Sequence, residues 1–336
     1  MLSFVLGIDV AKLSFYTAVL NGASVPDSPR AQPRFVQEKF DNNPAGFKKL
    51  FRWLKKLGVA PNELHACMEA TGGYHEQLAL YLHGQGCTVS VVNPAQLSSY
   101  AQSQLLRTKT DRMDACVIAR YCQKENPAPW QPPALHLRQL QSLARHLASL
   151  IQDRASVNNQ LQAPLLSAEV QTSLKRYHTF LSEEIKQVEQ QIREHINCHP
   201  DLKGQVELLQ SIPGIGERTA HALLAELGDV SRFNKARQAS AYAGLVPKFW
   251  DSGTSVHKKP TLSKRGNAAL RTLLYFPALT AMRYNPNIKP LVLRLKEKNK
   301  PNSLIIAAAM RKLIQLAAAV LISGRPFDPA YLQPNG

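Results

Sequence analysis

The 336-residue sequence predicts an α/β domain followed by mainly helical regions, and three observations carry that reading. Short β-prone runs alternate with helical periodicity through the first 125 residues. Four prolines crowd the eight residues NPAPWQPP at 126–133. Beyond them Leu, Ile and Val recur every three or four residues, the mark of long amphipathic helices.

The first three strands are LSFVLGIDV (2–10), SFYTAVL (14–20) and RFVQEKF (34–40), punctuated by Asn21-Gly22 and by the stretch from Pro26 to Pro33. Their β-branched and aromatic residues suit a pleated, half-buried surface. Phe47, Leu50, Phe51, Leu54 and Leu57 then mark one face of a helix over 44–57. LHACMEA (64–70) returns to strand character, and a Gly-Gly-Tyr turn leads into a helix over 75–83. Cys87–Val92 predicts a further strand, and a final helix holds Asp111–Tyr121. Three sequential strands followed by alternating helix and strand fit the mixed sheet of a ribonuclease H-like domain better than a strict βαβ repeat.

Proline cannot continue a helix or a central strand, so a boundary falls at 126–133. It divides the chain into domains at 1–128, 129–200 and 201–336. Leu140, Leu143, Leu147, Leu150, Val157 and Leu161, interrupted by Arg154, and Leu174, Tyr177, Leu181, Ile185, Val188 and Ile192, after Pro164, predict the two helices of a coiled-coil hairpin. Such a hairpin packs on itself or pairs with another copy. From Val206, LLQSIPGIGERTAHALLAELGDV sets Gly214 and Gly216 in a tight turn between two apolar-periodic helices, a helix-hairpin-helix pattern. Glycine there lets backbone N–H groups approach a phosphate. An ordinary helix-turn-helix of the core is the alternative.

With 44% hydrophobic residues the chain can bury a substantial core. Its formal charge of +17, from 41 Lys and Arg against 24 Asp and Glu, points to a polyanionic partner. From Arg232 to Lys300 there are fifteen basic residues against Asp251 and Glu297, whereas a merely solvated surface mixes signs. Lys248, Lys258, Lys259, Lys264, Arg265 and Arg271 are the nucleic-acid contacts expected there. Phe249, Trp250, Tyr275 and Tyr284 lie among these charges and are read mostly as core aromatics. The most apolar stretch, Leu304–Ile322, carries Arg311 and Lys312 near its middle and reads as a packed helix, not a membrane span. MLSFVLGIDV lacks a basic n-region and a cleavage site, so the expected location is the cytoplasm, at the nucleoid. Cys67, Cys87, Cys116, Cys122 and Cys198 form no CxxC pair and read as buried thiols of a reducing compartment, with Cys198-His199 at a helix end.

Within KTDRMDA (109–115), Asp111 and Asp114 stand three apart and share one helix face. Carboxylates beside polyanions are costly unless they hold cations against phosphate, and hard divalent ions take oxygen ligands. Asp9 ends the first strand and Glu69 the fourth, just before Gly72-Gly73. A helical DxxD pair alone is ordinarily a solvated or dipole-favoured face. An acid on strand one, another on strand four and a pair on a later helix are what a ribonuclease H-like nuclease requires.

GIDVAK (7–12), MEATGGY (68–74) and KTDRMDA resemble the DEDD, RuvC-like domain of the IS110/IS1111 transposases, and IPGIG (212–216) with AYAGLVPKFWDSG (241–253) resembles their C-terminal transposase domain. The resemblance spans nearly the whole chain in the right order. It implies that Asp9, Glu69, Asp111 and Asp114 bind metal, with two magnesium ions expected and manganese as a substitute, and that Ser252 is the nucleophile. It also implies a 5′-phosphoserine intermediate, target and donor DNA duplexes, a structured bridge RNA pairing with both, and a dimer or tetramer. The two halves of the site, on either side of the coiled coil, are expected to combine within one protomer or between protomers. Lys264 and Arg265, in SKRGNAALR, are candidate transition-state contacts or simple backbone contacts.

Two competing readings stay open at the level of sequence. In one, the chain is a RuvC-like Holliday-junction resolvase or other metal-dependent nuclease that activates water, with Ser252 structural. In the other, it is a non-catalytic nucleic-acid scaffold built on the helix-hairpin-helix and the coiled coil.

Overall fold

The computed structural model describes residues 3–21, 35–70, 72–104, 110–252, 256–263 and 265–330, with backbone alone for residues 21, 249–252 and 256–260. The chain divides into two compact units, Met1–Pro132 and Pro133–Gly336, parting within the proline-rich stretch.

The first unit is built on strands β1 (Phe4–Val10), β2 (Ser14–Asn21), β3 (Val36–Asp41), β4 (Leu64–Glu69) and β5 (Thr88–Val92), in sheet order β3-β2-β1-β4-β5. β1 runs antiparallel to β2, and β2 to β3, whereas β4 lies parallel to β1, and β5 to β4. This is the mixed sheet that three strands followed by crossover connections predict. Helices α1 (Pro44–Lys56), α2 (Glu76–Gly84), α3 (Pro94–Ser103) and α4 (Asp111–Glu125) complete the unit. The sheet is covered on both faces. Leu6, Ile8, Val10, Phe15 and Met68 join Phe47, Leu50 and Leu54 of α1 and Leu78 and Leu82 of α2 in one core. Val5, Ala18, Leu20 and Cys67 join Ala115, Ile118, Ala119 and Cys122 of α4 in the other.

α3 lies outside the elements that periodicity predicts, although its start is encoded: Asn93 caps it by accepting from Ala95 N at 2.8 Å, and Pro94 occupies the first turn. At α4 the Thr110 hydroxyl accepts from Met113 N at 3.3 Å. Left-handed Asn126, at φ 43°, ends that helix before Pro127.

In the second unit α5 (Leu135–Leu161) and α6 (Ala168–Asn197) form an antiparallel hairpin, whose open end is tied by His195 Nε2 against the His136 carbonyl at 2.8 Å. It is followed by α7 (Pro200–Gln210), α8 (Glu217–Leu227), α9 (Ala236–Tyr242), strands β6 (Pro247–Ser252) and β7 (Val256–Leu262), then α10 (Ala268–Tyr284), α11 (Lys289–Glu297) and α12 (Asn302–Ser323). The hairpin shares one continuous apolar cluster with the later helices: Leu140, Leu181 and Ile192 belong with Leu223, Leu274 and Leu313. The antiparallel β6–β7 ribbon is an element the helical reading passed over. α12 is long and apolar enough to cross a membrane, and 56% of its most apolar window is buried inside this unit. Cys67, Cys87, Cys116 and Cys122 are buried as expected, and Cys198 is exposed.

Candidate active site

Gly7 sets how closely α4 meets the sheet. It lies at the middle of β1, and a Cβ there would overlap the Ala115 carbonyl and the Ala119 amide, so α4 crosses the sheet at backbone contact. The direction of that crossing is fixed at the far end. The Cys122 thiol, in the last turns of α4, is hydrogen-bonded to Cys67 and lies beside His65 near the start of β4. That bond, together with burial, pushes the Cys67 thiol up from its ordinary range. With its C-terminal half over the start of β4, α4 brings its first turn, Asp111 and Asp114, to the carboxyl ends of β1 and β4.

Asp9 and Glu69 occupy those ends. Ile8 is paired with Met68 in parallel register, so Asp9 and Glu69 are the next residues on adjacent strands. Side chains alternate along a strand, which puts Asp9 on the face of Val5 and Gly7, and Glu69 on the face of Cys67. That is the face α4 covers. Asp9, Glu69 and Asp114 are half-buried and Asp111 is exposed.

Sequence reasoning missed a residue that braces this end. Asn42, just beyond β3, donates through Nδ2 to the carbonyls of Ala11 and Tyr74, each at 3.0 Å. It joins the β1–β2 turn to the Gly72-Gly73 loop, where Gly72 has φ 57°. The cap of α1 is its neighbour Asn43, and the bridging by Asn42 has no sequence signal.

The donor set is all carboxylate oxygen, with Asp9 and Glu69 at the ends of adjacent strands, which fits a hard divalent cation. Among the described residues no three His, Cys, Asp or Glu side chains are gathered around a common cation position.

In the second unit Ser252 is the last residue of β6, opposite Val256 across the ribbon. The side chains of Ser252, Lys258 and Lys259 lie outside the described residues, as does all of Lys264. Lys248 is half-buried and Arg265 exposed. Arg271 braces the base of the ribbon: its Nη1 donates to the Ala243 carbonyl at 3.0 Å and to the Gly266 carbonyl at 3.2 Å. Asn267 adds a bond from its N–H to the Tyr242 carbonyl at 2.8 Å, and Ser263 N donates to the Val246 carbonyl at 2.9 Å.

A buried carboxylate holds the same loop from below. Glu226 of α8 is 5% exposed and accepts from Arg145 Nε of α5 at 2.9 Å and from Asn267 Nδ2 at 2.7 Å. Asn267 also caps α10, accepting from Leu270 N at 3.2 Å. Of the two turn glycines between α7 and α8, Gly214 has φ 106°, and a Cβ there would come within 2.7 Å of Ala281 Cβ on α10. Its role in the fold is close packing. Gly216 caps α8 with open space where a side chain would project.

The chain is similar to several known proteins. Residues 6–169 match the transposase family DEDD_Tnp_IS110, and residues 206–292 match the transposase family IS116/IS110/IS902. The pilin gene-inverting protein of Moraxella bovis is 36% identical over 329 residues, covering 96% of this chain and 97% of that protein. The transposase for insertion sequence element IS1111A of Coxiella burnetii is 28% identical over 249 residues, 66% of each chain. Among solved structures, Thermus thermophilus RuvC aligns with 38% of this chain and 99% of its own, at 13% identity and a TM-score of 0.28. Near-full-length identity to a DNA-inverting protein, with two transposase families matched in order, shows that the chain belongs to the IS110 family of transposases.

Proposed function

We propose that this transposase cuts and rejoins DNA through Ser252, assisted by divalent cations held by Asp9, Glu69, Asp111 and Asp114. The observation that supports the proposal is that Asp9 and Glu69 end adjacent parallel strands and that α4, with Asp111 and Asp114 in its first turn, crosses the same sheet at Gly7. Bound magnesium, two ions by the chemistry of such quartets or manganese in their place, would supply positive charge beside the scissile phosphate.

The chain's own residues account for the remaining chemistry. Ser252 Oγ attacks phosphorus and a P–Oγ bond forms as the bond from phosphorus to the 3′ oxygen breaks. The hydroxyl proton departs, and the leaving 3′ oxygen takes one up. The 5′-phosphoserine keeps the energy of the phosphodiester, so a 3′ hydroxyl of another strand can attack it and release the serine without an external energy source. Lys264 and Arg265 offer positive charge to the pentavalent phosphate. Lys248, Lys258, Lys259 and Arg271, with the Gly214–Gly216 turn of a helix-hairpin-helix, serve the flanking backbone. Arg271 does so through the loop that it braces.

The reading extends to partners. The DNA substrates are target and donor duplexes, and a structured bridge RNA selects both by base pairing while the protein reads backbone and shape. The α5–α6 hairpin acts as a coiled coil in a dimer or tetramer. Functionally the chain divides at 1–128, 129–200 and 201–336, and it works on the bacterial nucleoid.

The test is Ser252→Ala in the full-length protein, assayed with DNA, RNA and magnesium for strand exchange and for a covalent protein–DNA adduct trapped by denaturation. Loss of both, with duplex binding retained, is the expected result. Undiminished exchange would remove Ser252 from the mechanism and favour hydrolysis by the acidic quartet.

A further inference from the structure

α10 is amphipathic in an unusual way. Its inner face is ordinary: Leu270, Leu274, Ala278 and Ala281 are fully buried. Its outer face is aromatic, with Phe276 exposed by 74%, Tyr284 by 70% and Tyr275 by 41%. The sequence reading placed Tyr275 and Tyr284 mostly in the core, and the helical phase set by the buried residues turns them outward instead. Tyr275 and Phe276 meet edge to face at 5.3 Å, an arrangement that holds both rings on the surface. Exposed rings of this size are costly on a helix facing only water.

The charge around them selects the partner. Between Ser252 and Lys296 there is no Asp or Glu, against nine Lys and Arg. Arg283 adjoins Tyr284 on α10, and Lys289, Arg294 and Lys296 are exposed along α11. On α8, which packs against α10, Glu226 is buried and engaged by Arg145. Glu217 at the head of α8 and Glu297 at the end of α11 are exposed, but Lys and Arg outnumber them on these helices, and a polyanion carrying flat apolar groups matches both the charge excess and the rings.

We infer that the outer face of α10 is a stacking platform for unpaired DNA bases, with Phe276 and Tyr284 as the principal rings and Arg283 beside them for the phosphates. Rings accept any base face, and nearby cations hold the backbone. From Phe276 to Tyr284 the helix runs about 12 Å, the length of about three to four stacked nucleotides. Strand exchange by a recombinase requires DNA strands to leave their complements, which provides the unpaired bases. The inference rests on the family's recombinase activity and is independent of Ser252.

The experiment measures binding of the full-length protein to one sequence as single-stranded DNA, duplex DNA and single-stranded RNA, for wild type, Phe276→Ala, Tyr284→Ala and Phe276→Trp. Loss of each ring should weaken single-stranded DNA binding by about tenfold, leave duplex affinity and the salt slope unchanged, and be rescued by Trp. Because both rings project from the surface, the thermal midpoint should stay at the wild-type value and verify folding. Unchanged single-strand affinity would overturn the inference, as would an equal loss on duplex. A loss confined to RNA would assign the face to RNA, and a changed sedimentation coefficient would assign it to a second copy of the chain; either overturns it.

Discussion

Replacing Glu226 by Ala tests how firmly the buried carboxylate holds the loop at the base of β6–β7. The carboxylate joins three elements: Arg145 on α5 at 2.9 Å, its own helix α8, and Asn267 at the head of α10 at 2.7 Å. Breaking a fully buried ion pair costs about 3–5 kcal/mol, because the surviving charge stays unpaired. Here the Arg145 side chain is 54% exposed and can regain water, which lowers that figure toward the small values of surface pairs. The loss of the acceptor for Asn267 adds about 1–3 kcal/mol. The expected total is about 2–3 kcal/mol, or a fall of roughly 5–10 °C in thermal midpoint for a unit of this size. Glu226→Gln keeps an acceptor for Asn267 and should lose about half as much. Chemical denaturation of both Glu226 variants measures these losses, and Arg145→Ala together with the Glu226→Ala/Arg145→Ala double variant closes a double-mutant cycle that measures the coupling. A loss below about 0.5 kcal/mol for Glu226→Ala would refute the reasoning, since that is the ordinary range for an unengaged surface residue.

Gly7→Ala should push α4 away from β1, because the added methyl overlaps the backbone of Ala115 and Ala119. A loss of about 1–3 kcal/mol in unfolding free energy and a larger relative fall in strand cleavage are expected; wild-type activity would show that α4 does not position Asp111 and Asp114. His221 on α8 is buried, and burial holds its imidazole below the ordinary histidine range. The unfolded chain therefore binds the proton more readily, so stability is full above about pH 6.5 and falls as the pH drops below it. Unfolding curves from pH 8 to 5 should show that slope diminished in His221→Gln, and an equal slope in the variant would locate the titration elsewhere.

Much of this was written locally. Strand runs, the 44–57 helix and the long amphipathic helices follow from periodicities of two and 3.6, which each segment displays by itself. The β6–β7 ribbon has a mixed local signal: β-prone residues flank the Ser252-Gly253 turn signal, while Pro247, Pro260 and the density of lysine lower strand propensity. The outward turn of Tyr275 and Tyr284 was illegible for another reason. α10 has apolar residues around its whole circumference, so which side is buried depends on what packs there, namely α8 and α12. Asn42 and Glu226 lie outside any motif, and their partners are distant in sequence.

By itself, then, the sequence determined most of the elements, the candidate acids and the one-sided charge, because composition and periodicity are properties of a chain read in order. Only the tertiary structure decided that Asp9 and Glu69 end adjacent strands and that the helix carrying Asp111 and Asp114 crosses the same sheet. That result depends on β4 lying parallel to β1 and on α4 returning across Gly7, where the absent side chain lets the two backbones touch. Such a contact joins residues more than a hundred positions apart, and no local pattern records it.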